Sequence, residues 1–365
     1  MTADELRRAV MSALSRIKHP GSGRDLVAGG HVQNVEADDQ GGVRFQFLLQ
    51  PDDPGDLVKE ARAACEAIAG VAQVKINVQL PQMAAEGRQG GLKPGSVPAP
   101  TPKPGLLSEV KQIVAVSSGK GGVGKSMVAV NLAAAFAQDG LRVGLLDADI
   151  YGPNIPLMFG VDSRPNVTGE KGKELIEPLE AHGVRLMSLG FLLDKEQPAI
   201  MRGPLISGIL KQFLEQVNWG PLDLMVVDMP PGTGDAQLSL VQTIDLTGAV
   251  MVTTPQEVAT GDVRRGVKMF ERVNTRVLGI VENMSGLVCP HCDEIIDVFG
   301  SGGGEALAEE MAIPFLGKVP LDPAVREAGD RGAPTVVGAP DSEAGVALLA
   351  LMRTVDQRLA AIRGA

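Results

Sequence analysis

VAVSSGKGGVGKS, residues 114–126, is a short apolar run with no charge before Lys120 that passes into a glycine-rich segment. The run predicts a buried parallel strand, and the residues that follow, MVAVNLAAAFAQ, predict a helix. Gly119, a four-residue gap and then Gly124-Lys125-Ser126 fit the spacing of a phosphate loop. Gly119, Gly121, Gly122 and Gly124, with Val123 between them, let successive backbone N–H groups turn inward at the positive end of a helix, where phosphate oxygens bind. Lys125 is then placed to neutralise the β- and γ-phosphates, and the Ser126 hydroxyl to ligate Mg2+.

A chain of 365 residues suits two domains, one of them large. Hydrophobic residues make up 44% without an apolar run near membrane-spanning length, and the N-terminus MTADELRRAVMSAL lacks the apolar block of a signal peptide. A cytoplasmic protein without a membrane partner is expected. The net charge of −10 opposes attraction to phosphate backbones, so no nucleic-acid partner is expected. Three cysteines do not make a disulfide framework and point to reduced thiols or metal ligands.

Before the phosphate loop, Leu6, Val10, Leu14 and Ile17 fall at helical spacing. Residues 31–37 and 43–49 read as strands, the second alternating Val43, Phe45, Phe47 and Leu49. Leu57, Ala61, Cys65 and Ile68 mark a second helix, with Cys65 on its apolar face as a buried structural thiol, and Val74, Ile76, Val78 and Leu80 a third strand. This order predicts a small α/β domain over residues 1–82. Residues 83–109 include GRQGGLKPGSVPAPTPKPG, an extended tether of about 3 Å per residue where polyproline-like. From 110 to 365 strands and helices alternate as in a mostly parallel sheet covered by helices on both faces. Strands are expected at 142–146, 184–189, 222–227, 249–253, 277–281 and 315–319. LLDADIYGPN sets Asp147 and Asp149, and LMVVDMPPGTGD sets Asp228, at strand ends where open α/β sheets bind ligands. Asp228 stands in the usual place for a Mg2+-holding carboxylate.

GKGGVGKS is similar to the signature of the deviant phosphate-loop ATPases, the class of the nitrogenase iron protein, MinD and ParA. The resemblance implies an ATP-sandwiched homodimer, with Lys120 reaching the partner's nucleotide much as an arginine finger does. It implies that Asp149 orients the attacking water, that Asp147 supports the Mg2+ and loop network, and that Gly232 brings a backbone N–H to the γ-phosphate. It places Asn283, in VENMS, on adenine, and Pro255 with Gln256 near the base. No NKxD-type guanine signature stands there, so ATP is the expected nucleotide. A positioning ATPase of the MinD or ParA kind is the rival within this class.

SGLVCPHCDEIIDVFG carries Cys289 and Cys292 two residues apart. Four-ligand zinc and iron–sulfur sites need twice what one such pair supplies, and a homodimer with the two loops on its two-fold axis supplies the rest. Spacing alone leaves a bridging cluster, a zinc site, a redox dithiol and a structural pair all open. ENMS and CPHC, taken with GKGGVGKS, DADIYGPN, DMPPGTGD and TTPQEVATGDVRRGVKMF, resemble the Mrp/ApbC family of iron–sulfur cluster carrier ATPases over residues 110–350. That resemblance implies a [4Fe-4S] cluster held between subunits by Cys289 and Cys292, a slow ATPase, apo iron–sulfur proteins as recipients, and a scaffold or donor protein as source. The N-terminal part resembles the metal–sulfur cluster assembly domain, with His19-Pro20-Gly21 where that family often has Asp-Pro-Glu. Val346, Leu349, Val355 and Leu359 mark a closing helix expected to pack on the domain rather than anchor to a membrane.

Overall fold

A computed structural model describes residues 2–20, 23–38, 40–48, 57–79, 105–150, 152–170, 174–192, 203–289 and 291–363. Leu49, Leu80 and most of the expected tether, residues 83–104, lie outside the described residues, as do Gly21, Tyr151 and Pro290. The chain divides into two compact units, Met1–Lys93 and Pro94–Ala365.

The first unit runs α1 (Ala3–Leu14), β1 (Val32–Ala37), β2 (Gly42–Leu48), α2 (Leu57–Glu66) and β3 (Gln73–Gln79). Thr2 and Glu5 close a capping box on α1, satisfying two of the orphan N–H groups at its start. β2 is central, antiparallel to β1 and parallel to β3. Its alternating Val43, Phe45 and Phe47 meet Leu6, Val10 and Leu14 of α1 and Leu57, Ala61 and Cys65 of α2 in one core. Cys65 is fully buried, and burial pushes its thiol up to about 11. His19 is buried and stacks on His31, ring centroids 5.4 Å apart.

The second unit runs β4 (Ile113–Ser118), α3 (Lys125–Gln138), β5 (Val143–Asp147), α4 (Ile155–Met158), β6 (Val167–Thr168), β7 (Leu175–Ile176), β8 (Leu179–Ala181), β9 (Val184–Ser188) and α5 (Gly203–Gln216). It continues with β10 (Leu224–Asp228), α6 (Asp235–Thr243), β11 (Gly248–Thr253), α7 (Glu257–Arg272), β12 (Val277–Asn283), β13 (Leu287–Val288), β14 (Ile295–Ile296) and α8 (Gly303–Glu310). β15 (Phe315–Val319), α9 (Pro323–Asp330), α10 (Thr335–Gly338) and α11 (Glu343–Arg363) complete it. The main sheet has the order β15-β12-β11-β4-β10-β5-β9-β8, parallel except for the edge strand β8.

Because both faces of the sheet are covered, the central strands are apolar at every position rather than alternating. Val114 and Val116 of β4 face α3 and α11, while Ile113 and Ala115 face the core built by α5, α6 and α7. Leu106 and Leu107 also pack on that second core, so ordered packing begins before residue 110. α11 packs on the sheet through Ala344, Leu348, Leu351, Met352, Val355 and Leu359. The sequence pattern puts Val346 on that face; it is instead 57% exposed, because the buried stripe runs through Ala344, Leu348, Leu351, Val355 and Leu359, and position 346 falls about half a turn away from it. Among the described residues no helix is long and apolar enough to cross a membrane.

Phe270 is fully buried on α7 against the sheet. Phe270→Ala is expected to lower stability by about 3–5 kcal/mol, read as a fall in the urea midpoint at unchanged slope.

Candidate functional site

The order β11-β4-β10-β5 gathers the C-terminal ends of four parallel strands, and the loop of residues 119–124 leaves the second of them. Gly124 caps α3 at φ 82°, a left-handed conformation that lets the helix begin at Lys125 with its first N–H groups facing the loop. Gly119 is glycine for another reason. A Cβ there would run into the backbone of Asp262 and Val263 on α7.

Lys125 is only 5% exposed. Its Nζ lies 2.5 Å from Asp228 Oδ1, 3.3 Å from Ser126 Oγ and 3.4 Å from Asp149 Oδ2. The register explains the convergence: Asp228 ends β10 beside Asp147 at the end of β5, and the Ala148 N–H donates to the Asp228 carbonyl. Asp147 is 1% exposed and accepts from the Ser188 hydroxyl at 2.8 Å and the Asp149 N–H at 3.1 Å. Burial, with the charge of Asp228 next, holds the Asp147 carboxyl well above the usual range. Burial also raises Asp228, against the opposing pull of the Lys125 charge. Asp228 Oδ2 is buried with no hydrogen-bond partner. An acceptor-only oxygen held in this way beside Ser126 suits a hard cation, so the residues present fit Mg2+.

Four residues expected to contact ligands are engaged within the protein. The Lys125 ammonium, expected on phosphate, and the Asp228 carboxylate, expected on Mg2+, form a buried ion pair, each offsetting the desolvation of the other. The Gly232 N–H, expected on the γ-phosphate, donates to the Ser118 carbonyl at 3.0 Å. Asn283, expected on adenine, is 2% exposed and its amide donates to the Val123 carbonyl at 2.9 Å, pinning the phosphate loop. Lys120 is half-buried, and Pro255 is buried with its carbonyl packed on Gly303. Two further residues belong here that the sequence does not single out: Ser188, which lies on a separate strand, and Glu282, which stands beside Asn283 just past the expected strand 277–281. Glu282 is fully buried and accepts from the Ser285 hydroxyl at 2.6 Å and from the N–H groups of Gly302 at 2.9 Å and Gly304 at 2.6 Å.

The cysteine pair sits on a small antiparallel hairpin, β13 with β14, a feature too short for strand periodicity to reveal. The Cys289 N–H donates to the Glu294 carbonyl and the Asp293 N–H returns to the Cys289 carbonyl, with Asp293 left-handed at φ 59°. This tight turn aims the N–H groups of His291 and Cys292 at the Cys289 sulfur and holds its pKa below that of an ordinary thiol. Both cysteines are free, Cys289 half-buried and Cys292 exposed. Ile295, Ile296, Val298 and Phe299 beside them are 69%, 48%, 47% and 37% exposed. Among the described residues no three His, Cys, Asp or Glu side chains gather as a metal site.

A parallel sheet with a phosphate loop at the strand ends and acidic residues on the adjoining strands defines a P-loop NTPase. The chain belongs to the NUBPL iron-transfer P-loop NTPase family, whose model matches residues 109–356. Residues 7–78 match the model of an iron–sulfur cluster assembly protein domain. The iron–sulfur cluster carrier protein of Synechocystis is 45% identical over 354 residues, 95% of this chain and 96% of its own length. An Arabidopsis thaliana protein described as an iron–sulfur protein required for NADH dehydrogenase, mitochondrial, is 46% identical over 70% of this chain and 82% of its own. Among solved structures, the ADP complex of a nucleotide-binding protein from Archaeoglobus fulgidus aligns with a TM-score of 0.55 and 40% identity, over 62% of this chain and 88% of that one. The cell-division ATPase MinD of Pyrococcus furiosus aligns at 0.51 and 24% identity over 68% of this chain and 99% of its own, a likeness of fold.

In a Cys292→Ser variant, which keeps both N–H groups, the rate of Cys289 alkylation by iodoacetamide is expected to rise with pH about a midpoint below the value of about 8.5 of a free cysteine. Cys65, buried with its thiol at about 11, stays unmodified in the folded chain. A midpoint at or above that of free cysteine would show that the turn does not favour the thiolate.

Proposed function

We propose that this iron–sulfur carrier NTPase binds and hydrolyses ATP and carries a [4Fe-4S] cluster, as cargo, between two copies of the chain for delivery to apo-proteins. The observation that carries this reading is the cysteine hairpin: two free sulfurs, N–H groups aimed at one of them, and four exposed apolar side chains alongside. Two sulfurs are half of a four-ligand site, and a second copy related by a two-fold axis supplies the other half while covering the apolar rim. Free thiols suit a reducing compartment, and a cluster with few protein ligands near the surface suits release.

The nucleotide side follows from the buried charges. Lys125 trades Asp228 for the β- and γ-phosphates when ATP binds, and Ser126 and Asp228 are then the residues that hold Mg2+, which supplies charge neutralisation at the phosphate oxygens. Asp149, within reach of Lys125, orients water, and the Gly232 N–H moves from the Ser118 carbonyl to the terminal phosphate. Lys120 adds positive charge across the dimer. The Archaeoglobus relative's ADP complex supports the nucleotide assignment.

The test is anaerobic reconstitution with iron and sulfide, followed by Mössbauer spectroscopy and sedimentation, on wild type beside the Cys289→Ser/Cys292→Ser variant. One four-iron cluster per two chains, absent from the variant, is expected. Zinc alone in the wild type, or iron retained without both cysteines, would overturn the reading. Lys125→Ala is expected to weaken ATP binding about 10- to 100-fold, the loss of a charge-assisted contact, as measured by titration calorimetry.

A further inference from the structure

Glu282 and Asn283 are consecutive at the end of β12, and each fastens a different part of the molecule. Asn283 holds the phosphate loop through the Val123 carbonyl. It also lies so close to Gly124 that a Cβ at that glycine would collide with its amide nitrogen. Glu282 fastens both roots of the segment that bears the cysteines: the Ser285 hydroxyl before it and the Gly302 and Gly304 N–H groups after it. The two oxygens divide the work, Oε1 taking Ser285 and Gly302 and Oε2 taking Gly304. A fully buried carboxylate with three donors at the positive end of α8 is a strong, charge-assisted clamp. Around it the frame is tight. Gly304 is packed so closely that a Cβ would lie 3.0 Å from the Glu282 Cβ and 2.9 Å from a Thr253 methyl. The Ser285 N–H donates to the Val319 carbonyl, and the Leu321 N–H to the Gly286 carbonyl.

We infer that Glu282 is a positioning residue that transmits the state of the phosphate loop to the cysteine hairpin. A shift of Val123 when phosphate fills the loop moves Asn283, and through the next residue moves both ends of the hairpin together. Glu282 itself touches neither nucleotide nor cysteine. Glutamine cannot replace it, because its one oxygen serves one side of the clamp and its amide hydrogens then oppose the N–H of Gly302 or Gly304. The inference rests on reading residues 119–126 as the nucleotide site and the hairpin as the cargo site.

The experiment uses the full chain without iron and compares iodoacetamide labelling of Cys289 and Cys292, site by site by mass spectrometry, with and without Mg-ADP. Cys65 serves as the buried reference. In wild type the nucleotide changes the labelling rate by about fivefold or more, the lower end of ordinary coupling between sites. Glu282→Gln keeps ADP affinity within about twofold, while the nucleotide dependence of labelling falls to near unity. Ser285→Ala, which leaves both N–H contacts intact, gives an intermediate ratio and carries the test if Glu282→Gln does not fold. A wild-type ratio of one, or an undiminished ratio in the variants, overturns the inference. Because no iron enters, this outcome is separate from that of the reconstitution: either can fail while the other holds.

Discussion

The ion pair between Lys125 and Asp228 is the constraint on which the rest of the second unit depends. An ammonium 5% exposed and a carboxylate fully buried are tolerable only together, since either alone would carry a desolvation cost of several kcal/mol. Holding them 2.5 Å apart fixes the start of α3 against the end of β10. The remaining acidic groups settle around that pair, Asp149 within reach of the same ammonium and Asp147 turned toward Ser188. A triphosphate competes for the lysine with far more charge than one carboxylate offers. On the function proposed above, nucleotide binding exchanges one partner of Lys125 for another rather than filling a rigid cup.

Much of this was legible in the chain. The phosphate loop is a pattern of residue types at fixed spacing, and the central strands, buried on both faces, read as uninterrupted apolar runs; the observed β15, Phe315–Val319, coincides with its expected span. What escaped reading depends on contacts far apart in sequence. Gly119 looked like a phosphate-binding glycine, yet its lack of a side chain is demanded by α7. Glu282 carries no local signal in the sequence, because the donors that define it, Gly302 and Gly304, lie 20 and 22 residues on. The short edge strand β8 and the hairpin of β6 with β7 span too few residues for a period to show. α11 reads as a helix in the sequence, but its buried stripe runs through Ala344, Leu348, Leu351, Val355 and Leu359, which leaves Val346 in solvent.

The cysteine hairpin joins two kinds of information. Its sulfurs are visible in the sequence as CPHC, but their setting is not: the left-handed Asp293, the N–H groups aimed at Cys289, and the cluster of apolar side chains from Ile295 to Phe299 appear only in three dimensions. The chain that bears these exposed residues also bears, one strand end away, the contact between Asn283 and the phosphate loop. The phosphate loop and the cysteine hairpin therefore share a root in β12.

The most direct measurement is a crystal structure of the chain with Mg2+ and a non-hydrolysable ATP analogue. The account predicts that Lys125 Nζ leaves Asp228 for the phosphate oxygens and that the Gly232 N–H leaves the Ser118 carbonyl. A bound nucleotide with the Lys125–Asp228 pair still at its present 2.5 Å would contradict it.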